Sequence, residues 1–378
     1  MLTRRFILAA TGAALMAGSL AAGVHAQDKP PVRIGAILPL SGAGAFDGQL
    51  AAEGMEAMAA LINDKGGILG GRKIELVKYD DKGTPEEGVS AAKRAIEQDN
   101  VDVLVGGWFS AVALSLKEET RDKIITVMTS SQHPKVTEEG HKYLFRLNAT
   151  STMNSQTYSK FICDKMGLKS VAFITINDDY GRLEAQNYEK LLGECGIKTL
   201  GNEYYNRNDT DFTTALTKLR ALKPDAIYVS AINTSQGATI YRQIRQTGYK
   251  GTIIASAGNM NPKLVELSGP ALEGVYSASL YAPDSDNPTL KAWVAKYKSM
   301  FKNEPAFIGS LGAQAVELLA GAIDEAGDPR AYDKIAAALK GHPWDTLLGT
   351  MKFDEKGQAL QNTYLVQVVD GKITSVKN

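Results

Sequence analysis

Cysteine is nearly absent. Two cysteines in 378 residues exclude a disulfide-dense scaffold and any four-cysteine zinc or iron–sulfur cage. Histidine is also scarce: His25 lies in the leader described below, and His133, His141 and His342 show no zinc-type spacing. An excess of one charge is missing too. Lys plus Arg is 42 and Asp plus Glu is 42, so nothing points to nucleic acid or to a charge-driven partner. There is no Cys-x-x-Cys, no Gly-x-Ser-x-Gly elbow and no Walker loop. Gly42-Ala43-Gly44 begins like a dinucleotide loop, but Asp47 stands where the third glycine belongs. Low-complexity tracts, long linkers and internal repeats are absent. No metal or cofactor is expected.

The chain does have the balance of an ordinary globular protein, 44% hydrophobic and 22% charged. Its length suits two domains of about 100–200 residues each. Arg4 and Arg5 precede an uncharged Ala/Gly-rich stretch, Phe6 to Val24, which ends in Val24-His25-Ala26. Small residues at the two positions a signal peptidase reads predict a leader over residues 1–26. A membrane anchor is the alternative, since the apolar run is near spanning length. Export would place the mature chain in the periplasm, without a dependable supply of ATP or NAD, and would permit a disulfide. Cys163 and Cys195 sit late in two successive helical segments, and a bridge between them is expected. Two buried thiols are the alternative.

Short apolar runs predict strands at Val32–Leu38, Ile74–Tyr79, Val101–Val105, Ile124–Met128, Val171–Ile176, Ala226–Val229, Thr252–Ala255 and Gly274–Ser277. Helical stretches fall between most of them, including one near Gln49–Asn63 and one near Ala111–Arg121. Thr84-Pro85-Glu86-Glu87 predicts a helix start with a capping box. Helices follow at Pro288–Met300, Phe307–Ala326 and Tyr332–Leu339. A hairpin is expected over Thr363–Val369, Asp370-Gly371 and Lys372–Val376. Alternating strands and helices indicate parallel sheets covered on both faces. The strands are too many for one compact domain, so the prediction is α/β with two doubly wound lobes.

Ligands bind beyond the carboxyl ends of parallel strands. In this chain those ends carry Ser41 to Gly48, Gly106 to Ser110, Thr129 to Gln132, Asn177 to Gly181, Asn233 to Ser235, and Ser256 to Asn259. Small hydroxyls, amides, glycines and a few aromatics suit a small polar or carboxylate-bearing molecule. The cations a polyphosphate needs are few. Ser, Asn and Asp also cap helices, so the weight lies in the collective bias. Asp178-Asp179 are available as paired carboxylates for a secreted hydrolase, or as helix-start residues that favour the dipole.

In this order these features resemble the periplasmic solute-binding proteins of ABC transporters, most closely the branched-chain (Leu/Ile/Val) amino-acid-binding family. The stretches that carry the resemblance are Ile34-Gly35-Ala36 with Leu40-Ser41-Gly42, Gly66 to Leu76 running into Tyr79-Asp80-Asp81, Asp178-Asp179-Tyr180-Gly181, Asp211-Phe212-Thr213, and Phe353 to Gly357. The resemblance implies a type I periplasmic-binding-protein fold, two lobes joined by three hinge crossings. Lobe 1 would take 27–147 and 281–359, and lobe 2 would take 148–280 and 360–378. It also implies a monomer that catalyses nothing, captures a small hydrophobic amino acid in the cleft, and hands it to membrane permease and ATPase subunits.

Carried over by position, the resemblance gives Ser110 and the backbone of Ser130 and Ser131 to the ligand carboxylate. Gln132 stands where a Thr is usual. Tyr180 would stack on the ligand, with Phe46, Trp108, Phe109 and Phe307 as apolar walls. The ammonium end departs from the pattern. Ala257 stands where a Glu is usual, and Ile232, beside Asn233, where a Tyr is common. Either Asp47, Asp178 or Asp179 replaces the Glu, or the ligand is an aromatic or aliphatic carboxylate without an amino group.

Overall fold

The computed structural model describes residues 29–376 apart from Ile232 and Asn259. The predicted leader and Ile232 therefore lie outside the described residues. The first sheet is built from β1 (Val32–Leu38), β2 (Ile74–Asp80), β3 (Val103–Gly106), β4 (Thr126–Met128) and β5 (Leu144–Arg146). They pair in parallel in the order β2-β1-β3-β4-β5. Between them run α1 (Ala45–Asp64), α2 (Pro85–Lys93) and α3 (Ser110–Glu119). The interior runs of β1 and β3 are buried throughout apart from Arg33, as expected of strands covered on both faces.

The chain then passes to a second sheet through α4 (Ser151–Lys165). Five parallel strands follow, β6 (Ser170–Ile176), β7 (Lys198–Tyr205), β8 (Ala226–Ser230), β9 (Thr252–Ala255) and β10 (Tyr276–Ser279). They alternate with α5 (Asp179–Glu194), α6 (Thr213–Ala221), α7 (Thr234–Gln246) and α8 (Pro262–Ser268). The order β7-β6-β8-β9-β10 repeats that of the first sheet, so each lobe has a topological switch point beside its first strand. The chain returns to the first lobe through α9 (Pro288–Met300), α10 (Phe307–Ala326) and α11 (Tyr332–Gly341). A small antiparallel sheet follows, made of β11 (Trp344–Thr346), β12 (Gly349–Phe353) and β13 (Ala359–Leu360). A third pass adds the hairpin β14 (Tyr364–Val369) and β15 (Lys372–Ser375) antiparallel to β10.

Several boundaries differ from the sequence expectation. α1 begins at Ala45, within the predicted loop, so Phe46 and Asp47 belong to its first turn. Gly42–Gly44 form a single 3-10 turn. β10 starts two residues late because Gly274 holds a positive φ of 75°. β5, β7 and the small sheet were not anticipated. Thr84 caps α2 through the Glu87 amide, but the Glu87 carboxylate pairs with Lys82 at 2.9 Å. Only half of the predicted capping box forms. Cys163 and Cys195 are bonded, joining the ends of α4 and α5.

By length and composition α10 could span a membrane, but it is largely buried. It packs on α1 where a Cβ at Gly54 would meet the Gly309 carbonyl oxygen at 2.0 Å. Only glycine permits that approach. It fixes the start of α10, and hence Phe307, relative to Asp47 at the start of α1.

The first and third passes are laced together. Gln358 donates to the Asn148 carbonyl at 2.9 Å and Gln361 to the Leu147 carbonyl at 2.8 Å. The buried Arg146 guanidinium donates to the Gln358 side chain at 2.7 Å and Thr137 Oγ1 at 2.7 Å, and it also reaches the His133 carbonyl. Burial pushes its pKa down to about 9. It remains a cation at neutral pH.

Candidate functional site

The carboxyl ends of both parallel sheets face one cavity of about 50 Å³, walled by residues of both lobes. Of the predicted site residues, Trp108, Phe109, Ser110, Ser130, Gln132, Tyr180, Ala257 and Phe307 line it. Asn148, Asp178 and Gly258 complete the wall.

Ser110 opens α3, whose first intrahelical bond runs from the Ala113 amide to the Phe109 carbonyl. The amides of Ser110, Ala111 and Val112 thus have no acceptor within the helix. They and the helix dipole favour an anion at this end. The Ser110 hydroxyl lies 3.3 Å from that of Ser131. Ser130 is anchored from behind, its carbonyl accepting from Asn148 Nδ2 at 2.8 Å. Together the α3 terminus and two serines place anion-favouring donors on one side of the cavity.

The rings come from both lobes. Trp108 and Phe109 meet edge to face, with centroids 6.4 Å apart. Tyr180 presents its ring while its hydroxyl is tied down, donating to Glu184 Oε1 at 2.9 Å. Tyr228 and Ser230 also donate to Glu184. Burial nevertheless raises the Glu184 pKa to about 7. On the far wall Gly258 has a φ of +87°, and a Cβ there would sit 2.8 Å from the Phe307 ring. A glycine is required both by the conformation and by the ring.

Asp178 is the one charged side chain among the described wall residues. It caps α5, accepting from the Gly181 amide at 2.9 Å, and pairs with Arg207 at 3.3 Å. Its oxygens are committed to structure and to an ion pair, which argues against the free acid–base pair a hydrolase would use.

Other predicted residues stand off the wall, for identifiable reasons. Phe46 packs against the hydrophobic core. Asp47 reaches across the cleft, accepting from Thr234 Oγ1 at 2.6 Å and the Thr234 amide at 3.2 Å. Burial raises its pKa to about 6 in spite of both donors. Asp179 is the first residue of α5. The Ser131 amide is spent on the Gly107 carbonyl at 3.0 Å. Asn233 caps α7 through the Gln236 amide at 2.9 Å. Gln132 lines the cavity, but its amide group bridges the lobes, donating to the Ala257 carbonyl at 3.2 Å and accepting from Asn154 at 2.9 Å. Asn148 went unnoticed because it follows β5, a strand too short to be seen in the sequence.

Known proteins share this architecture. A model of the family described as periplasmic binding protein matches residues 31–372. An amino acid binding protein of Pseudomonas aeruginosa is 30% identical over 366 residues, covering 96% of each chain. A Leu/Ile/Val-binding protein homolog of Brucella suis is 28% identical, covering 92% of this chain and 93% of that one. Among solved structures, a leucine binding protein of Thermotoga maritima is 29% identical with a TM-score of 0.83, covering 92% of this chain and 98% of that one. A solute binding protein of R. palustris in complex with benzoate shares the fold at 23% identity and a TM-score of 0.84, covering 92% and 95%. The expected type I fold holds, and the chain belongs to the periplasmic binding protein family; several of its relatives are named as Leu/Ile/Val-binding or leucine binding proteins.

Proposed function

We propose that the chain is the solute-capturing component of an ABC importer and that its solute is a small carboxylate with an uncharged, ring-bearing body. It is exported by cleavage of residues 1–26 and works in the periplasm as a monomer. Its lobes, 27–147 with 281–359 and 148–280 with 360–378, close over the solute and present a joint surface to the permease. The solute leaves chemically unchanged.

The observation that carries this reading is the charge balance of the wall. Rings stand on several sides of the cavity, a carboxylate cradle stands at α3, and among the described wall residues the only carboxylate is already paired with Arg207. An ammonium shut into this cleft without a free counter-ion would cost several kcal/mol. The same fold holds benzoate in the R. palustris protein.

The second reading, a hydrophobic α-amino acid of branched-chain type, is favoured by the position of Asp178 on the wall and by the names of the relatives. A thermal-shift panel followed by calorimetry separates the two. Benzoate and its hydroxylated forms should raise Tm, and leucine, isoleucine and valine should not. A rise with the amino acids alone replaces the first reading by the second. Mass spectrometry of released solute checks that it is unaltered, and any turnover defeats both.

A further inference from the structure

Arg207 lies outside the cavity wall, in the loop after β7, yet it meets groups from both lobes. Its guanidinium carbon sits 4.0 Å from the centre of the Phe109 ring, which belongs to the opposite lobe. Its Nη2 lies 3.3 Å from Asp178 Oδ2. Asp81, at the end of β2 in the first lobe, also acts on it through charge. Among the described residues, Asp81 Oδ2 and Arg207 Nη1 are buried atoms with no hydrogen-bond partner.

The loop that carries Arg207 is held in place. Gln236 Nε2, on α7, donates to the carbonyls of Asn206, Arg207 and Asp209 at 3.2, 2.8 and 2.9 Å. The guanidinium is therefore delivered from a fixed backbone. A planar cation suits both jobs at once, stacking on a ring and pairing with a carboxylate.

We propose that Arg207 determines specificity by occupying Asp178, so that the cleft refuses a ligand ammonium, and that it does so in the closed form, where it stacks on Phe109. The inference rests on the ring-carboxylate reading above and deepens it. With the guanidinium in place the wall offers an ammonium no free counter-charge. With it gone, Asp178 becomes the acceptor an α-amino group needs.

The test uses matched pairs on the mature full-length protein: leucine against isocaproate, and phenylalanine against hydrocinnamate, the same skeletons without the amino group. Calorimetry gives the ratio of amino-acid Kd to deamino-acid Kd for wild type, R207Q, R207K and D178N. R207Q should lower the ratio at least tenfold. R207K, which keeps the charge, should hold it within threefold. D178N should raise it at least threefold, because an unpaired guanidinium repels the ammonium. A merely structural role would weaken both members of a pair alike. A ratio in R207Q within threefold of wild type overturns the proposal, and so does a tenfold fall in R207K. If R207Q does not fold, D178N decides, and an unchanged or lower ratio overturns it. A wild-type preference for the amino acids overturns the ring-carboxylate reading and this proposal together, whereas a wild-type preference for the deamino acids with an unmoved R207Q ratio overturns this proposal alone. No binding of any probe by wild type overturns both.

Discussion

The bond between Asp47 and Thr234 joins the start of α1 in one lobe to the start of α7 in the other, so it exists only while the lobes are together. Replacing Thr234 by Val removes the shorter donor, at 2.6 Å, and leaves the amide at 3.2 Å. It also removes the acceptor of a bond from Asn261 Nδ2 at 2.9 Å. A hydrogen bond to a charged group contributes about 1.5–3 kcal/mol. With the amide retained we expect the lower half of that range, a ~10- to 40-fold weaker Kd. The loss should fall on the dissociation rate, read by stopped-flow fluorescence from Trp108 in the cavity wall. Ligand-free stability should fall only by what the Asn261–Thr234 bond within the second lobe contributes, about 1 kcal/mol, because the separated lobes never made the bond to Asp47. Thr234→Ser should restore most of the affinity.

The same pair sets a pH dependence. Burial holds the Asp47 carboxyl near 6, whereas in separated lobes solvent returns it towards 3.8. The closed form then binds the proton more tightly, so closure is favoured below about pH 4 and loses that advantage as pH rises through about 6. Ligand affinity should be higher at pH 5 than at pH 7, and the window should move upward in Thr234→Val, which lacks a donor that lowers the pKa. A Kd for Thr234→Val within threefold of wild type, with no change in its pH profile, would refute the reasoning.

Ser110→Ala should weaken whichever carboxylate binds by about 1.5–3 kcal/mol, and unchanged affinity in calorimetry removes Ser110 from the cradle. Global stability should fall between about pH 5 and pH 8. Buried Glu184 is raised to about 7 from 4.5, so its contribution is complete below the unfolded value and lost as pH rises through the folded one. Glu184→Gln should flatten that slope in a series of thermal melts, and an identical slope rules the group out. Reducing the Cys163–Cys195 bond, which spans 32 residues, should cost about 2–4 kcal/mol of stability and lower Tm. Ligand Kd should not move, because the bond sits at the far end of α5, ~24 Å along the helix from Asp178. A Kd that changes on reduction shows the bond acting on the cleft.

The strands legible in the sequence were those that bury a continuous apolar run, such as β1, β6 and β8. β7 reads Lys-Thr-Leu-Gly-Asn-Glu-Tyr-Tyr and lies at the edge of its sheet, with only Tyr205 buried. An edge strand with solvent on one side has no reason to be apolar, and its sequence looks like a loop. β5 has three residues, too few for a period. The consequence reached the site, since the residues after these two strands, Asn148 and Arg207, were the ones overlooked. Serines and rings after apolar strands were readable because strand-end position and residue type agree there. The destinations of Asp47 and Gln132 were not. Each is decided by a partner more than 100 residues away in the opposite lobe, and no local pattern encodes such a meeting.

The glutamine lacing of the first and third passes also limits how the jaws can travel. Two chain crossings stitched side by side by Gln358 and Gln361 should move as one ribbon that resists splaying more than torsion. Opening should then follow a single twisting coordinate about that ribbon. Spin labels on the two halves should report distances that vary together along one line, with no independent sideways slip.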